Sequence, residues 1–109
     1  MAHSLVTIRK RSTFIMIRKK GKLSYGKTFN IQFLEEQGLN NSIYVGFTAT
    51  KKLGTAIKRN KAKRILRELT RKVITKYGKI NSYYVLIAKS SIFEIPFDFQ
   101  ENELKKLIS

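Results

Sequence analysis

Two stretches of the chain alternate between apolar and polar residues, which is the pattern of a half-buried β-strand. Residues 28–34 and 42–50 carry an apolar side made of Phe29, Ile31, Phe33, Ile43, Val45, Phe47 and Ala49. The positions between them are mostly polar: Asn30, Gln32, Tyr44, Gly46, Thr48 and Thr50. We therefore predict two strands that each turn one face to the core and present a polar face on the other side.

Residues 55–78 have instead the period of an amphipathic helix. The predicted apolar side is Ala62, Ile65, Leu66, Leu69 and Val73, and the opposite side is Asn60, Lys63, Arg64, Arg67 and Arg71. Thr55 is suited to cap the first turn, and Gly78 is suited to end the helix. One side of this helix is predicted to pack, whereas the other must face a partner or water.

Shorter signals complete the predicted order of elements. Ser12 is suited to cap a helix that ends at Gly21, and residues 21–27 have the composition of a mobile basic loop. Residues 83–88 are apolar on both faces, as in a strand at the middle of a sheet, and Asp98 with Glu101 has capping-box spacing for a last helix.

Together these elements predict one α+β domain, residues 1–109, in the order α-β-β-α-β-α, with residues 1–7 as a flexible N-terminus. The strand, helix and strand between residues 42 and 88 imply a parallel pair in a small mixed sheet.

The charge of the chain indicates an anionic partner. Its 23 basic and 7 acidic residues give a formal charge of +16, and 20 of the cations lie in residues 9–27 and 51–79, which contain only one acid, Glu68. Like charges repel at positions 59, 63, 67 and 71 of the predicted helix, which an ordinary solvated face avoids by mixing signs. The hydrophobic fraction of 42% argues against a disordered basic tail.

Nucleic acid fits this charge better than a membrane does. No apolar run approaches the roughly 18 residues of a spanning helix, and the basic helix has no Trp or Phe on its apolar side. The N-terminus lacks the apolar region of a secretory signal, although the absence of acids before Glu35 leaves an organellar transit peptide open.

The chain offers little for protein-based catalysis. It has no cysteine, and its one histidine, His3, lies at the terminus, so a metal site of His, Asp and Glu has almost nothing to build from. Glu35 and Glu36 fall in a predicted turn, where paired carboxylates are usually solvated. We predict no catalytic residue and no metal ligand in the protein itself.

Nucleic-acid chemistry is better represented. Arg suits bidentate phosphate contact, and Asn60 suits a base edge or a sugar hydroxyl. Phe14 and Tyr25 are candidates for stacking on unpaired bases. Core packing is the alternative for Phe14, and a place in a solvated loop is the alternative for Tyr25.

The motif Ala56-x-x-Arg59-Asn60-Lys61-x-Lys63-Arg64-x-x-Arg67 resembles the Arg-Asn signature helix of the protein component of bacterial ribonuclease P. Residues 45–54 resemble the strand and loop that precede this helix in the family, and residues 14–21 resemble its first helix. The likeness spans about residues 7–108.

The resemblance implies an α/β sandwich in which a left-handed crossover joins the two parallel strands. It also implies an accessory subunit of a bacterial, cytoplasmic endoribonuclease whose chemistry is carried by RNA. The expected partners are that catalytic RNA and precursor tRNA, from which the 5′ leader is cleaved with Mg²⁺ held mainly by the RNA. No small-molecule cofactor and no membrane are implied.

Two binding surfaces follow from the resemblance. Catalytic RNA is expected to contact the signature face, with Arg71 continuing it: Arg59, Asn60, Lys63, Arg64, Arg67 and Arg71. The 5′ leader is expected to lie in a cleft lined by Phe14, Arg18, Asn30, Gln32, Thr48, Thr50 and Lys52. Two positions depart from the family pattern, since Ala62 replaces a larger aliphatic residue and Arg18 replaces a second cleft aromatic, which favours phosphate contact there.

Two other functions compete with this one. A structural ribosomal protein would share the charge and the basic helix, and it would copurify with ribosomal subunits. A self-sufficient nuclease is the least favoured, because four of the seven acids cluster in residues 94–103 near the predicted last helix and no convincing general acid and base pair emerges.

Overall fold

The computed structural model describes residues 4–109, which form one mixed sheet with helices on both faces. The strands are β1 (Leu5–Thr7), β2 (Lys22–Tyr25), β3 (Phe29–Glu35), β4 (Ile43–Thr48) and β5 (Ser82–Ala88). The helices are α1 (Arg11–Lys20), α2 (Ala56–Leu69) and α3 (Phe97–Ile108). A π-helical segment (Thr70–Ile74) and a final turn (Thr75–Tyr77) extend α2, and short 3₁₀ turns occupy Gln37–Leu39, Lys51–Leu53 and Ser90–Phe93.

The sheet has the strand order β1-β4-β5-β3-β2, so β5 lies at its centre, as its apolar sequence predicts. β5 is parallel to β4 and antiparallel to β3, and β1 is parallel to β4. The predicted parallel pair around the basic helix is confirmed, and so is the mixed α+β fold class. β3 and β4 are consecutive in sequence but not neighbours, because β5 lies between them.

The two faces of the sheet have different coverings. α2 and α3 pack on the face that carries the predicted apolar positions, including Phe29, Ile31, Ile43 and Val45, all of which are buried. α1 covers part of the opposite face through a smaller cluster centred on Ile8, Ile17 and Val85. The remainder of that second face is open, and it carries the polar positions of β3 and β4.

The basic helix forms as its period predicts. The Thr55 hydroxyl accepts a hydrogen bond from the Lys58 amide at 3.3 Å and so caps the first turn. Ala62, Leu66, Leu69 and Val73 are fully buried, and Ile65 is half-buried against them. The helix stops before Gly78, where an added Cβ would come within 2.5 Å of the Ile74 carbonyl oxygen.

Several boundaries differ from the sequence predictions because pairing and packing outweigh local signals. Ser12 does not cap α1, since the amides of Thr13 and Phe14 bond to the Lys10 carbonyl and the helix begins one residue before Ser12. Likewise, the capping box at Asp98 is wrong, because α3 begins at Phe97 directly after Pro96, whose ring fixes φ at a helix-compatible value.

Two segments predicted to be mobile are paired strands instead. Residues 22–25, assigned from sequence to a mobile loop, form β2 in antiparallel register with β3. Residues 5–7, assigned to a flexible terminus, form β1 against the open edge of β4. Both are short edge strands: β1 pairs with a strand that lies far away in sequence, whereas β2 forms a hairpin with β3, which follows it directly. His3 and the rest of residues 1–3 lie outside the described part of the chain.

Candidate nucleic-acid interface

A groove of about 610 Å³ runs between α1 and the open face of the sheet. Five of the seven residues predicted for the leader cleft line it: Phe14, Arg18, Gln32, Thr48 and Thr50. The groove floor is partly apolar because Val85 and Ile87 of the central strand lie between the polar positions of β3 and β4. The groove therefore combines an aromatic ring, apolar surface and hydrogen-bonding side chains.

A second groove, of about 560 Å³, holds the other two predicted cleft residues, Asn30 and Lys52. Thr50 and Ile87 line both grooves, so the two form one continuous surface. We call this surface the sheet groove. It brings all seven predicted cleft residues together, although they come from α1, two strands and the loop after β4.

Gly46 shapes the sheet groove from below. A Cβ at this position would lie 2.5 Å from Cε1 and 2.7 Å from Cζ of Phe14, so only glycine lets the Phe14 ring rest against β4. Phe14 is half-buried by this contact and by its packing near Ile8 and Ile17. The core-packing interpretation of Phe14 therefore holds in part, because the ring joins a packed cluster, and since the ring also lines the groove, stacking on a base stays a prediction.

Four cations at the sheet groove were not predicted from the sequence to lie there. Arg9 and Arg11 line the first part beside Phe14, Lys63 reaches the same part from α2, and Lys89 lines the second part. Arg9 and Arg11 belong to the basic block of residues 9–27, but nothing in their spacing relates them to the sheet. Only the packing of α1 across β3 and β5 does so.

The predicted catalytic-RNA face of α2 is present and largely exposed to solvent. Asn60, Arg64, Arg67 and Arg71 are exposed, whereas Arg59 and Lys63 are half-buried. We call these six residues the cationic face. Nη1 of Arg59 donates to the Gly54 carbonyl at 3.2 Å, and the Arg67 guanidinium lies 5.6 Å from the centre of the Phe47 ring.

Lys63 joins the two predicted surfaces. It belongs to the cationic face by its place on α2, and it also lines the sheet groove, together with Phe47 and Thr48 of β4. The groove continues around the edge of β4 onto α2 because β1 pairs only with residues 43–45 of that strand.

One acid interrupts the cationic face. Glu68 forms an ion pair with Arg71, one helical turn away; the Arg71 side chain is largely exposed, and the Glu68 side chain is partly exposed. The hydrogen bond from Arg71 holds the pKa of Glu68 below its usual value and raises the pKa of Arg71. The pair is therefore charged at neutral pH, and it competes with any phosphate for the Arg71 guanidinium.

The tyrosines of β5 have raised pKa values. Burial raises the pKa of the Tyr84 hydroxyl, which accepts a hydrogen bond from the Lys79 amide at 2.9 Å, and burial also raises the pKa of Tyr83. Tyr84 packs on the core side against Phe33, with ring centres 5.1 Å apart. Tyr84 is thus a structural residue far from the groove face.

Neither a metal site nor a membrane segment is found in residues 4–109. In this range no three His, Cys, Asp or Glu side chains come together as a ligand set for a metal ion. Across the same residues, no helix combines the length and the apolar character that crossing a bilayer would require. The charged groups that the described chain offers to a ligand are overwhelmingly cations.

Comparison with known proteins decides which family carries this arrangement. The family model for ribonuclease P matches residues 3–109. The chain belongs to the ribonuclease P protein family. This confirms the resemblance drawn from the Arg-Asn helix.

Individual relatives agree with the family assignment. The ribonuclease P protein component of Caulobacter vibrioides is 43% identical over 82 residues, which cover 75% of this chain and 54% of that protein. The chain thus spans about half the length of this relative. The corresponding protein of Bartonella quintana is 36% identical over 106 residues, covering 93% of this chain and 79% of the relative.

A solved structure agrees as well. The ribonuclease P protein from Thermotoga maritima superposes with a TM-score of 0.79 at 28% identity, covering 94% of both chains. The mixed sheet and its helices are therefore the family fold.

Proposed function

We propose that this chain is the protein subunit of a bacterial ribonuclease P ribonucleoprotein. In this proposal the cationic face binds the catalytic RNA, and the sheet groove binds the 5′ leader of precursor tRNA. The subunit assists Mg²⁺-dependent cleavage that leaves the mature 5′ end of the tRNA. Family membership and the sequence of the signature helix support the assignment.

The single observation that carries the proposal is the joining of a polar and aromatic groove to a cationic helix face. A single-stranded leader has unpaired bases and a phosphate backbone, which call for stacking surfaces, amide groups and cations in one channel. The sheet groove offers the Phe14 ring, the side chains of Asn30 and Gln32, and Arg18 at its rim. Such a groove holds a strand without reading its sequence.

The cationic face has the properties needed for a folded RNA. Three of its four arginines are exposed, and all four are always charged and able to bind phosphate in a bidentate manner. In a helix these like charges repel, and a polyanion removes that repulsion. The same cations lower the electrostatic cost of bringing leader and catalytic RNA together, which is the role we assign to the protein in the assembled complex.

The cleavage chemistry is assigned to the RNA and its bound Mg²⁺ in this proposal. In residues 4–109, no three His, Cys, Asp or Glu side chains come together as ligands for the ion. The work of this chain is to bind the leader, fix its path and reduce phosphate repulsion.

Reconstitution tests the proposal. The purified protein, added to the ribonuclease P RNA of the same organism, should lower the Mg²⁺ concentration required for leader removal and raise the affinity for precursor over mature tRNA. Arg64→Ala should weaken assembly, and Lys106→Ala, which removes an exposed cation from α3, is the matched control. No change in Mg²⁺ requirement or leader affinity would refute the assigned function.

Salt dependence gives a second measure of the same proposal. If about six phosphates are engaged, the logarithm of the RNA binding constant should fall with the logarithm of salt concentration at a slope near −4. A flat titration would contradict an interface built on phosphate contacts. Copurification with ribosomal subunits and not with this RNA would favour the structural ribosomal alternative.

A further inference from the structure

One row of side chains crosses the open face of the sheet from β4 to the far edge. Strand register pairs Thr48 with Ile87, Ile87 with Asn30, and Asn30 with Tyr25. Paired residues on neighbouring strands project to the same face, so all four share the face of the sheet groove. With strands about 4.8 Å apart, the row extends about 14 Å from Thr48 to Tyr25.

Tyr25 ends this row as an exposed aromatic residue. Its side chain is 73% exposed, the most of any aromatic among the exposed large hydrophobic residues of the described chain. At that position the ring contributes little buried apolar area to the core. Its neighbour in the row, Asn30, lines the sheet groove, so the strand register places Tyr25 next to the proposed leader path.

The turn after Tyr25 is held firmly, contrary to the mobile loop expected from sequence. The Asn30 side-chain oxygen accepts from the Gly26 amide at 3.3 Å, and Lys89 donates to the Gly26 carbonyl. Ser91 donates to the Lys27 carbonyl at 2.7 Å, and the Lys27 amide donates to a Glu103 carboxylate oxygen at 2.7 Å. These bonds fix β2 and its turn to three other parts of the chain.

A fixed, exposed ring is well suited to stacking. Stacking on a mobile residue loses part of its free energy to ordering the chain, whereas here the backbone is already ordered. The Asn30 oxygen is used by the turn, so the Asn30 amide nitrogen is the group left for a base or a sugar beside the ring. Lys89 and Lys52 supply positive charge to the same part of the groove.

We propose that Tyr25 is a further leader-binding residue, which stacks on an unpaired leader base where the sheet groove reaches the β2 edge. This inference rests on the proposed function and extends the leader path across β3. It also assigns an aromatic contact to a chain that has Arg18, and not a second ring, on α1. The ligand is a single-stranded RNA base of any identity.

The test uses the reconstituted ribonucleoprotein and precursor tRNAs with leaders shortened one nucleotide at a time. Tyr25→Ala should weaken binding of long-leader substrates by about fivefold to tenfold, as expected for loss of one base stack. Tyr25→Phe and Tyr25→Trp should restore it, since both keep a planar ring. The leader length at which the Ala effect disappears identifies the stacked nucleotide.

A spectroscopic readout separates stacking from a structural role. A 2-aminopurine base placed at that leader position should be quenched in the wild-type complex and should brighten with Tyr25→Ala. Tyr77→Ala, which removes another exposed tyrosine at the end of the α2 extension, is the matched control and should change neither signal. Thermal unfolding of each variant checks that the fold is intact.

The outcomes of the two proposals are distinguishable. If the wild-type protein confers leader affinity and Gln32→Ala reduces it, but Tyr25→Ala changes neither affinity nor fluorescence at any leader length, the Tyr25 inference is overturned and the proposed function stands. If the wild-type protein confers no leader affinity, the proposed function itself fails. Equal loss from Tyr25→Ala and Tyr25→Phe would also overturn stacking.

Discussion

Gly46 provides a direct test of how the sheet groove is built. Replacing it with alanine adds a methyl group 2.5 Å from one carbon of the Phe14 ring and 2.7 Å from another, far inside van der Waals contact. The next nearest atom, Cβ of Ile8, lies at an ordinary 3.5 Å. The clash is therefore with a single side chain, and Gly46→Ala should push the ring away from β4 into the groove.

Two effects set the size of the change in the free energy of unfolding. Overpacking of this kind costs about 1–3 kcal/mol. Alanine is favoured over glycine within a strand by about 0.5–1 kcal/mol, because glycine loses more backbone entropy on folding. Gly46→Ala should therefore destabilise the protein by about 0–2.5 kcal/mol. In a Phe14→Ala background, where the ring is gone, the same change should be neutral or stabilising.

The assay is a double-mutant cycle in which circular dichroism monitors urea unfolding of each variant. The buffer contains sulfate, which counteracts the self-repulsion of a chain of charge +16. Gly46→Ala should also weaken leader binding in the ribonucleoprotein, while leaving assembly with the catalytic RNA unchanged. If Gly46→Ala has the same effect on stability with and without the Phe14 ring, the contact between Gly46 and that ring does not set the groove floor.

Three further predictions address the surfaces and the core. Arg64→Ala should reduce affinity for the catalytic RNA more than for the leader, Gln32→Ala should do the reverse, and Lys63→Ala should reduce both affinities. Filter binding with each RNA measures the losses. If all three variants lost the two affinities equally, the idea of two distinct surfaces would be contradicted. Glu68→Gln should strengthen binding of the catalytic RNA at low salt by removing the acid that competes for the cationic face, and unchanged affinity would count against that competition. Because burial raises the pKa of Tyr84 in the folded protein, the contribution of this residue to stability is present below the ordinary tyrosine pKa, near 10, and is lost as pH rises through the folded value. The urea concentration at the unfolding midpoint should therefore decrease as pH is raised above about 10, and it should decrease less in Tyr84→Phe.

Much of the fold was predictable because local signals agreed with tertiary packing. The helical period of residues 55–78 placed Leu66 and Val73 in the core, and the Thr55 cap formed as expected. The uniformly apolar run of β5 led to its central place in the sheet. In each case a long or strongly patterned segment buries the side that its pattern favours.

The short edge strands were not predictable in the same way. β1 has three residues and β2 has four, and neither has enough alternation to distinguish a strand from a loop. Their pairing is decided by the free edges of β4 and β3, which the sequence does not reveal. Because residues 22–25 were not predicted to be a strand, the fixed position of Tyr25 was not predicted either. That position depends on hydrogen bonds between the following turn and Lys89, Ser91 and Glu103.

The candidate site also has a part that the sequence predicts and a part that depends on packing. The cationic face of α2 follows from helical geometry alone, and the grouping of the seven cleft residues was implied by the family resemblance and is matched by the structure. Arg9 and Arg11, by contrast, line the sheet groove only because α1 packs across the sheet, which the sequence does not reveal. Residues on one element are grouped by its period, whereas residues on different elements are grouped only by their packing.

Lys63 belongs to the cationic face and also lines the sheet groove. Because β1 pairs only with residues 43–45, the edge of β4 is open beyond them, and the sheet groove reaches Lys63 around that open edge. A leader in the groove and a catalytic RNA on α2 would then approach each other at a point where both are polyanions. A half-buried lysine there lowers the repulsion between them more than an exposed one, because solvent and salt screen it less. The two surfaces are therefore expected to bind their RNAs cooperatively, with Lys63 as the contact that couples them.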